Sequence, residues 1–318
     1  MFEKLLSTTQ APVWLWWTFT LSVIILLVID LGLFHFVRHK KGSRFAIYET
    51  LAWISVALLF GGYIHWSYGS RLATEYLTGY VVEKTLSLDN IFVILLIFQA
   101  FRVDAKHQHR ILFYGVLGAV IMRGVLILVG AQLLQQFHWL MYVFGGILLI
   151  TAVKLLRGTD ETKSVLDSPM VARLKRWLPT TDDSSSGHFF TRQNGVLLAT
   201  PLFLALIVVE ITDLIFAVDS IPAVLAVTDD AFIAFASNIL AVLGLRALYF
   251  VLAEQVAELR YLKPGLAAVL GFVGLKMLVS DFYKVPGWAS LLVIAFILMT
   301  AGLSSWYVAR SENQRQSP

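Results

Sequence analysis

An all-α polytopic membrane protein, with about nine transmembrane helices and two inverted three-helix repeats, is what three features of this sequence predict. Hydrophobic residues make up 58% of the chain and charged residues only 14%, and several apolar runs exceed the roughly eighteen residues a membrane helix needs. Lys and Arg gather on alternate connections between those runs. An acidic motif appears twice, each time inside an apolar stretch.

Taken in order, the expected spans are 13–37, 46–64, 74–100, 111–134, 138–156, 195–225, 231–252, 264–281 and 286–309. The first run is too long for a signal-peptide core and opens on Trp14, Trp16 and Trp17, residues suited to a membrane interface, so it is expected to be retained. Connections 38–45, 101–110, 157–194, 253–263 and 310–318 carry seventeen Lys and Arg, against three (Lys4, Arg71 and Lys284) on the opposite side. That bias places the N-terminus outside and the C-terminus in the cytoplasm. The net charge of +4 therefore serves topology and implies no nucleic-acid partner. The chain contains no cysteine, which excludes disulfides, thiolate metal sites and a cysteine nucleophile.

The repeat is read from Tyr80–Val93, YVVEKTLSLDNIFV, and Val208–Pro222, VVEITDLIFAVDSIP. Glu83 aligns with Asp213, Asp89 with Asp219, and Asn90 with Ser220. Downstream, Arg123 aligns with Arg246 and Lys154 with Lys276, at Arg-to-Lys intervals of 31 and 30 residues. Each unit is an acidic helix, an Arg helix and a Lys helix. Three spans is an odd number, so the second unit enters the membrane in the opposite sense, the inverted topology of many secondary transporters. The resulting division is an N-terminal two-helix segment at 1–73, a first repeat at 74–156, a cytoplasmic loop at 157–194, a second repeat at 195–281, and a final helix and tail at 282–318. Within the loop, Pro169–Leu178 is a candidate amphipathic helix, and the loop as a whole reads as a solvated linker or a regulatory element.

A carboxylate at the bilayer centre costs roughly 2.5–3.5 kcal/mol on insertion scales, so Glu83, Asp89, Glu210, Asp213 and Asp219 must face a protein interior or a wet cavity. Asp219 follows Asp213 by six residues, about 240° round a regular helix, so one unbroken helix would not aim both at one point. Pro222 lacks an amide hydrogen and clashes with the carbonyl of Val218, which predicts unwinding near Asp219. Asn90, Ser220 and Asn238 add neutral oxygens. Carboxylate, amide and hydroxyl oxygens suit hard divalent ions such as Mg²⁺, Mn²⁺ and Ca²⁺.

The alternative is that these acids pair with Arg123 and Arg246 and hold helices together. Singly, Arg123 and Arg246 read as structural counter-ions, Lys276 as a counter-ion or gating group, Lys84 as a local partner of Glu83 or a snorkelling side chain, and Asp30 as a cap or ion-pair member. An intramembrane aspartyl protease would need a glycine pattern that AVDSIP lacks, so no enzymatic activity is expected.

Six stretches carry a resemblance: TGYVVEKTLSLDNIFV, FYGVLGAVIMRG, NGVLLATPLFL, VVEITDLIFAVDSIPAVLAVT, SNILAVLGLRALYF and GLKMLVSDFY. Spanning Thr78 to Tyr283, they resemble the TerC family of bacterial integral membrane proteins, most closely its Alx type. The resemblance implies export of Mn²⁺ across the bacterial inner membrane, with Mn²⁺ as cargo and no organic cofactor, and it carries the family's acidic residues onto Glu83, Asp89, Glu210, Asp213 and Asp219. Asn90 and Ser220 are expected to complete the metal shell, with protons as coupling ions and the bilayer as surroundings. Two rival expectations are export of another cation (Ca²⁺ or a cationic amino acid) and a non-transporting, metal-binding membrane partner.

Overall fold

A computed structural model of the chain describes residues 11–37, 43–137, 139–157, 179, 181, 187–193, 196–252, 261–283 and 285–316; at some helical positions, Asp89 among them, only the backbone is described. The candidate amphipathic segment Pro169–Leu178 lies outside the described residues. The chain is mostly helical: α1 Val13–Val37, α2 Ser43–Tyr68, α3 Ser70–Ala100, α4 Ala105–Gln136, α5 Leu140–Leu156, α6 Pro201–Leu225, α7 Ala231–Leu243, α8 Leu245–Leu252, α9 Leu262–Leu278 and α10 Gly287–Gln316. Five of these helices, α1, α2, α4, α6 and α10, are long and apolar enough to cross a membrane, and the bent pair α7–α8 makes a sixth. The protein is an integral, multi-pass helical membrane protein.

The outer helices follow from periodicity. On α1, Leu15, Phe19, Val23 and Leu27 recur every fourth residue and are buried, while Trp14, Trp17, Leu21, Ile24 and Val28 stay exposed. An apolar helix that exposes apolar side chains suits lipid on its outer face. Its buried face meets α7 through Trp16 and Phe232, with ring centroids 5.1 Å apart. Helix α3 is different: it carries Arg71, Glu75, Glu83, Lys84 and Asp89, and its central turns are enclosed by protein. Such a helix is tolerable in a membrane only at the centre of a bundle.

The packing of the middle helices is interleaved. Helix α3 packs on α7 and α6, α4 on α6 and α7, and α5 on α9, whereas α3, α4 and α5 scarcely touch one another. At the α5–α9 contact, a Cβ at Gly145 would lie 3.0 Å from the Gly274 carbonyl oxygen, and a Cβ at Gly274 would lie 3.0 Å from the Gly145 carbonyl oxygen. Both positions need glycine for this approach.

Three local features depart from expectation. Residues Val196–Ala199 do not open the sixth span; they pair antiparallel with Phe190–Gln193 as strands β2 and β1. The helix begins instead at Pro201, whose fixed φ and missing N–H suit a first helical position, behind Thr200. The break expected at Pro222 is absent: α6 runs continuously to Leu225 with Pro222 inside it. Every residue from Ser220 to Leu225 is buried, and the enclosing helices hold the turn despite the missing hydrogen bond. The 231–252 span bends by 40° between α7 and α8, at Gly244. The bend interrupts the hydrogen-bond ladder near Ala241, and Lys84 Nζ donates to the Ala241 carbonyl at 3.0 Å. Lys84 therefore caps the C-terminal end of α7, where carbonyls and the helix dipole favour a cation, and it does not snorkel.

Candidate functional site in the bundle core

The centre of the bundle is built around Arg123 of α4, which is 1% exposed. Its Nε donates to Asp213 Oδ2 at 3.0 Å and its Nη2 to Asp213 Oδ1 at 2.6 Å, a two-point grip matched to a carboxylate. Its Nη1 donates to Glu83 Oε1 and, at 3.4 Å, to Ser220 Oγ. Asn238 Nδ2 on α7 donates to Glu83 Oε2 at 2.7 Å, and Ser87 Oγ donates to Glu83 Oε1 at 3.1 Å. Asn90 Nδ2 adds a bond to Asp213 Oδ1 at 3.1 Å. Helices α3, α4, α6 and α7 are thus tied at one point, and Glu83, 0% exposed, has both of its oxygens hydrogen-bonded, as a buried polar group requires.

Because α6 is unbroken, Asp213 and Asp219 part company, as their six-residue spacing requires. Asp213 faces Arg123 of α4, whereas Asp219 Oδ1 accepts from Thr151 Oγ1 of α5 at 3.1 Å. Asp219 lines a cavity of about 30 Å³ together with Glu83, Asn90, Arg123, Thr151 and Ser220. That volume holds about one or two waters, or a small ion stripped of most of its shell. A second cavity of about 30 Å³ touches Asn90, Asp213, Thr212 and Arg246. Among the described residues, no three Asp, Glu or His side chains converge as a metal-holding group; the Asp89 side chain is outside that description.

Glu210 sits one turn before Asp213, pressed against α4 at Gly118, where a Cβ would overlap both of its carboxylate oxygens. Arg246 donates to Asp30 Oδ1 of α1 and, at 3.2 Å, to Glu49 Oε1 of α2, acids outside the repeat. Asp30 is therefore an ion-pair member, and Arg246 pins the two N-terminal helices to α8. Lys276 lines a cavity of about 710 Å³ at one end of the bundle, with Glu75, Asp229 and Asp281 among its neighbours. There Glu75 accepts from Arg71 Nε at 2.9 Å and from Thr228 Oγ1 at 2.7 Å.

Sequence reasoning missed Glu49, Gly118, Thr151 and the bond between Asn238 and Glu83. Glu49 stands in an apolar run as the acids of the repeat do, and that isolation was its one signal. Gly118 and Thr151 carry no signal of their own, because their role depends on what faces them.

A bundle of apolar helices closed around a buried ionic network defines a polytopic helical membrane protein. Residues 68–313 match the family described as "Integral membrane protein TerC family", and the chain belongs to that family. It is similar to "Uncharacterized membrane protein STKORF319" of Myxococcus xanthus, 46% identical over 296 residues that cover 93% of each chain. It is also similar to Alx of Escherichia coli (strain K12), provisionally named a membrane-bound redox modulator, at 42% identity over 324 residues covering 98% of this chain and 99% of that one. The Salmonella typhi protein of the same name is 43% identical over 311 residues, 95% of this chain and 96% of its own. No solved structure matches the chain.

Proposed function

We propose that this protein is a secondary transporter that exports Mn²⁺ from the cytoplasm across the bacterial inner membrane by proton-coupled alternating access. Glu83, Asp89, Asn90, Glu210, Asp213, Asp219 and Ser220 supply the metal's oxygens in this reading. Arg123 and Arg246 are counter-ions, and Lys276 gates the 710 Å³ cavity. The N-terminus lies outside and the C-terminus in the cytoplasm. Helices α3, α5 and α9 join the five long helices and the bent pair to make nine spans.

The observation that carries the reading is the buried oxygen cluster itself. Glu83 and Asp213 share one guanidinium, and Asp219, Asn90 and Ser220 face the same small cavity as Glu83. Two carboxylates on one monovalent cation leave a negative balance, which suits a cation or a proton in a site shielded from water. The donors are all oxygens, which favours a hard divalent ion. The helix pairing supports the inverted repeat at 74–156 and 195–281. The acidic helix of each unit packs on the Arg helix of the other, and the two Lys helices pack together, as a two-fold exchange of units would produce. The Alx relatives' name concerns redox, and in this chain, which has no cysteine, any redox effect would have to act through something other than its own thiols.

The test is Mn²⁺ flux in proteoliposomes, with wild type beside Asp213→Asn and Asp219→Asn. Flux in the wild type and none in either variant is expected, with a rate that follows an imposed pH gradient. Absence of flux from folded wild type would turn the reading to a non-transporting metal-binding partner, and flux through both variants would make the carboxylates structural. Competition by Ca²⁺ or lysine in the same assay tests the other cargoes.

A further inference from the structure

We infer that Arg123 is a resident competitor for the transported cation: its Nη1 holds the Glu83 and Ser220 oxygens that the cation uses and releases them as the cation binds, while its grip on Asp213 keeps it in place. The inference rests on the cation-exporter reading above. Its basis is the unequal way Arg123 holds its partners. Asp213 is held by two nitrogens, Nε at 3.0 Å and Nη2 at 2.6 Å, in the paired geometry that a guanidinium and a carboxylate share. Glu83 and Ser220 are both served by the single nitrogen Nη1, and the Ser220 bond is long at 3.4 Å. Those two residues, with Asp219 and Asn90, line the 30 Å³ cavity that Arg123 also borders.

A divalent ion seated there would face a guanidinium bonded to its own ligands. Two cations side by side in a medium of low dielectric repel strongly, so both cannot use Glu83 at once. Glu83 is not free to move instead, because Asn238 holds its second oxygen at 2.7 Å. The group able to yield is Nη1, by a tilt of the planar guanidinium about the Nε–Nη2 edge that Asp213 holds. The consequence is that Glu83 is never left bare between cargoes: either Nη1 or the cargo neutralises it. Within the ligand set proposed above, Asp213 then has the added task of anchoring Arg123, and Asp219 meets the cation from the α5 side.

The experiment is Mn²⁺ binding to the purified full chain in detergent by equilibrium dialysis, for wild type, Arg123→Ala and Arg123→Lys. If the competent fraction of wild type is about 10%, removing the competitor tightens the apparent affinity of Arg123→Ala about tenfold. Added guanidinium chloride should then compete with Mn²⁺ in Arg123→Ala and leave wild type unaffected, with sodium chloride at equal ionic strength as the control. Competition by guanidinium is the outcome that a merely structural arginine does not give. If Arg123→Ala does not fold, Arg123→Lys replaces it: lysine cannot grip Asp213 at two points while covering Glu83 and Ser220, so the variant should bind Mn²⁺ more tightly than wild type and respond to guanidinium. Binding unchanged or weakened in the folded variants, with no effect of guanidinium, overturns the inference while leaving the exporter reading standing. Wild type that binds no Mn²⁺ overturns both.

Discussion

Glu83 and Asn238, 155 residues apart in the chain, share one hydrogen bond of 2.7 Å in a place neither exposes to solvent. The amide nitrogen meets the carboxylate, and the Asn238 carbonyl oxygen is buried without a hydrogen-bond partner among the described residues. Asn238→Leu leaves Glu83 Oε2 without its donor and is expected to destabilise the protein by about 1–2 kcal/mol, the range of polar contacts between membrane helices. Asn238→Asp should be worse, since it places a second carboxylate against Glu83. Unfolding midpoints in mixed micelles check both, and equal midpoints for the two variants would contradict the charge argument.

Gly118 leaves room for the Glu210 carboxylate, so Gly118→Ala must push it aside. If Glu210 serves the site, Gly118→Ala should weaken Mn²⁺ binding about tenfold, as the loss of a supporting contact does, and match Glu210→Gln. Gly62, where an added methyl group would meet no atom within 4 Å, is the control: Gly62→Ala should bind as wild type does.

Arg246 and its acids Asp30 and Glu49 form a buried clamp between α8 and the two N-terminal helices. Arg246→Met strands two carboxylates and is expected to cost about 3–5 kcal/mol. Adding Asp30→Asn and Glu49→Gln removes the stranded charges and should recover most of that loss. Because the clamp's acids come from α1 and α2 and lie outside the proposed metal set, the triple variant should retain metal affinity, which separates Arg246 from Arg123.

Gly145→Val wedges a branched side chain into the α5–α9 contact, where even a Cβ sits 3.0 Å from a backbone oxygen. Overpacking of that kind costs about 1–3 kcal/mol. Gly146, one residue on, faces open space, and Gly146→Ala is expected to be silent in the same unfolding assay.

Much of this arrangement is legible in the sequence. Charges inside apolar runs are few and costly, so Glu83, Arg123 and Asp213 announce themselves, with Asn90 and Ser220 marked by their place beside the repeat acids, and the structure brings these five together. What sequence does not carry is azimuth. Asp213 and Asp219 read as one motif, yet a continuous helix turns them toward different neighbours, α4 for one and α5 for the other. Pro222 reads as a break because a proline in isolation is one, and the enclosing helices override it. Arg246 aligns with Arg123 but stands beside α1 and α2, which supply acids that the repeat does not contain.

The interleaving of α3, α4 and α5 with α6, α7 and α9 has a consequence for how the protein is made. Helices α3, α4 and α5 scarcely touch one another, and their buried faces are completed by helices synthesised later. Neither half can complete this core alone, so the nascent first half must wait in the membrane with Glu83 and Arg123 lacking Asn238, Asp213 and Ser220. For the same reason, a chain severed between residues 158 and 178 and expressed as two pieces should reassemble through the interior that the two halves share.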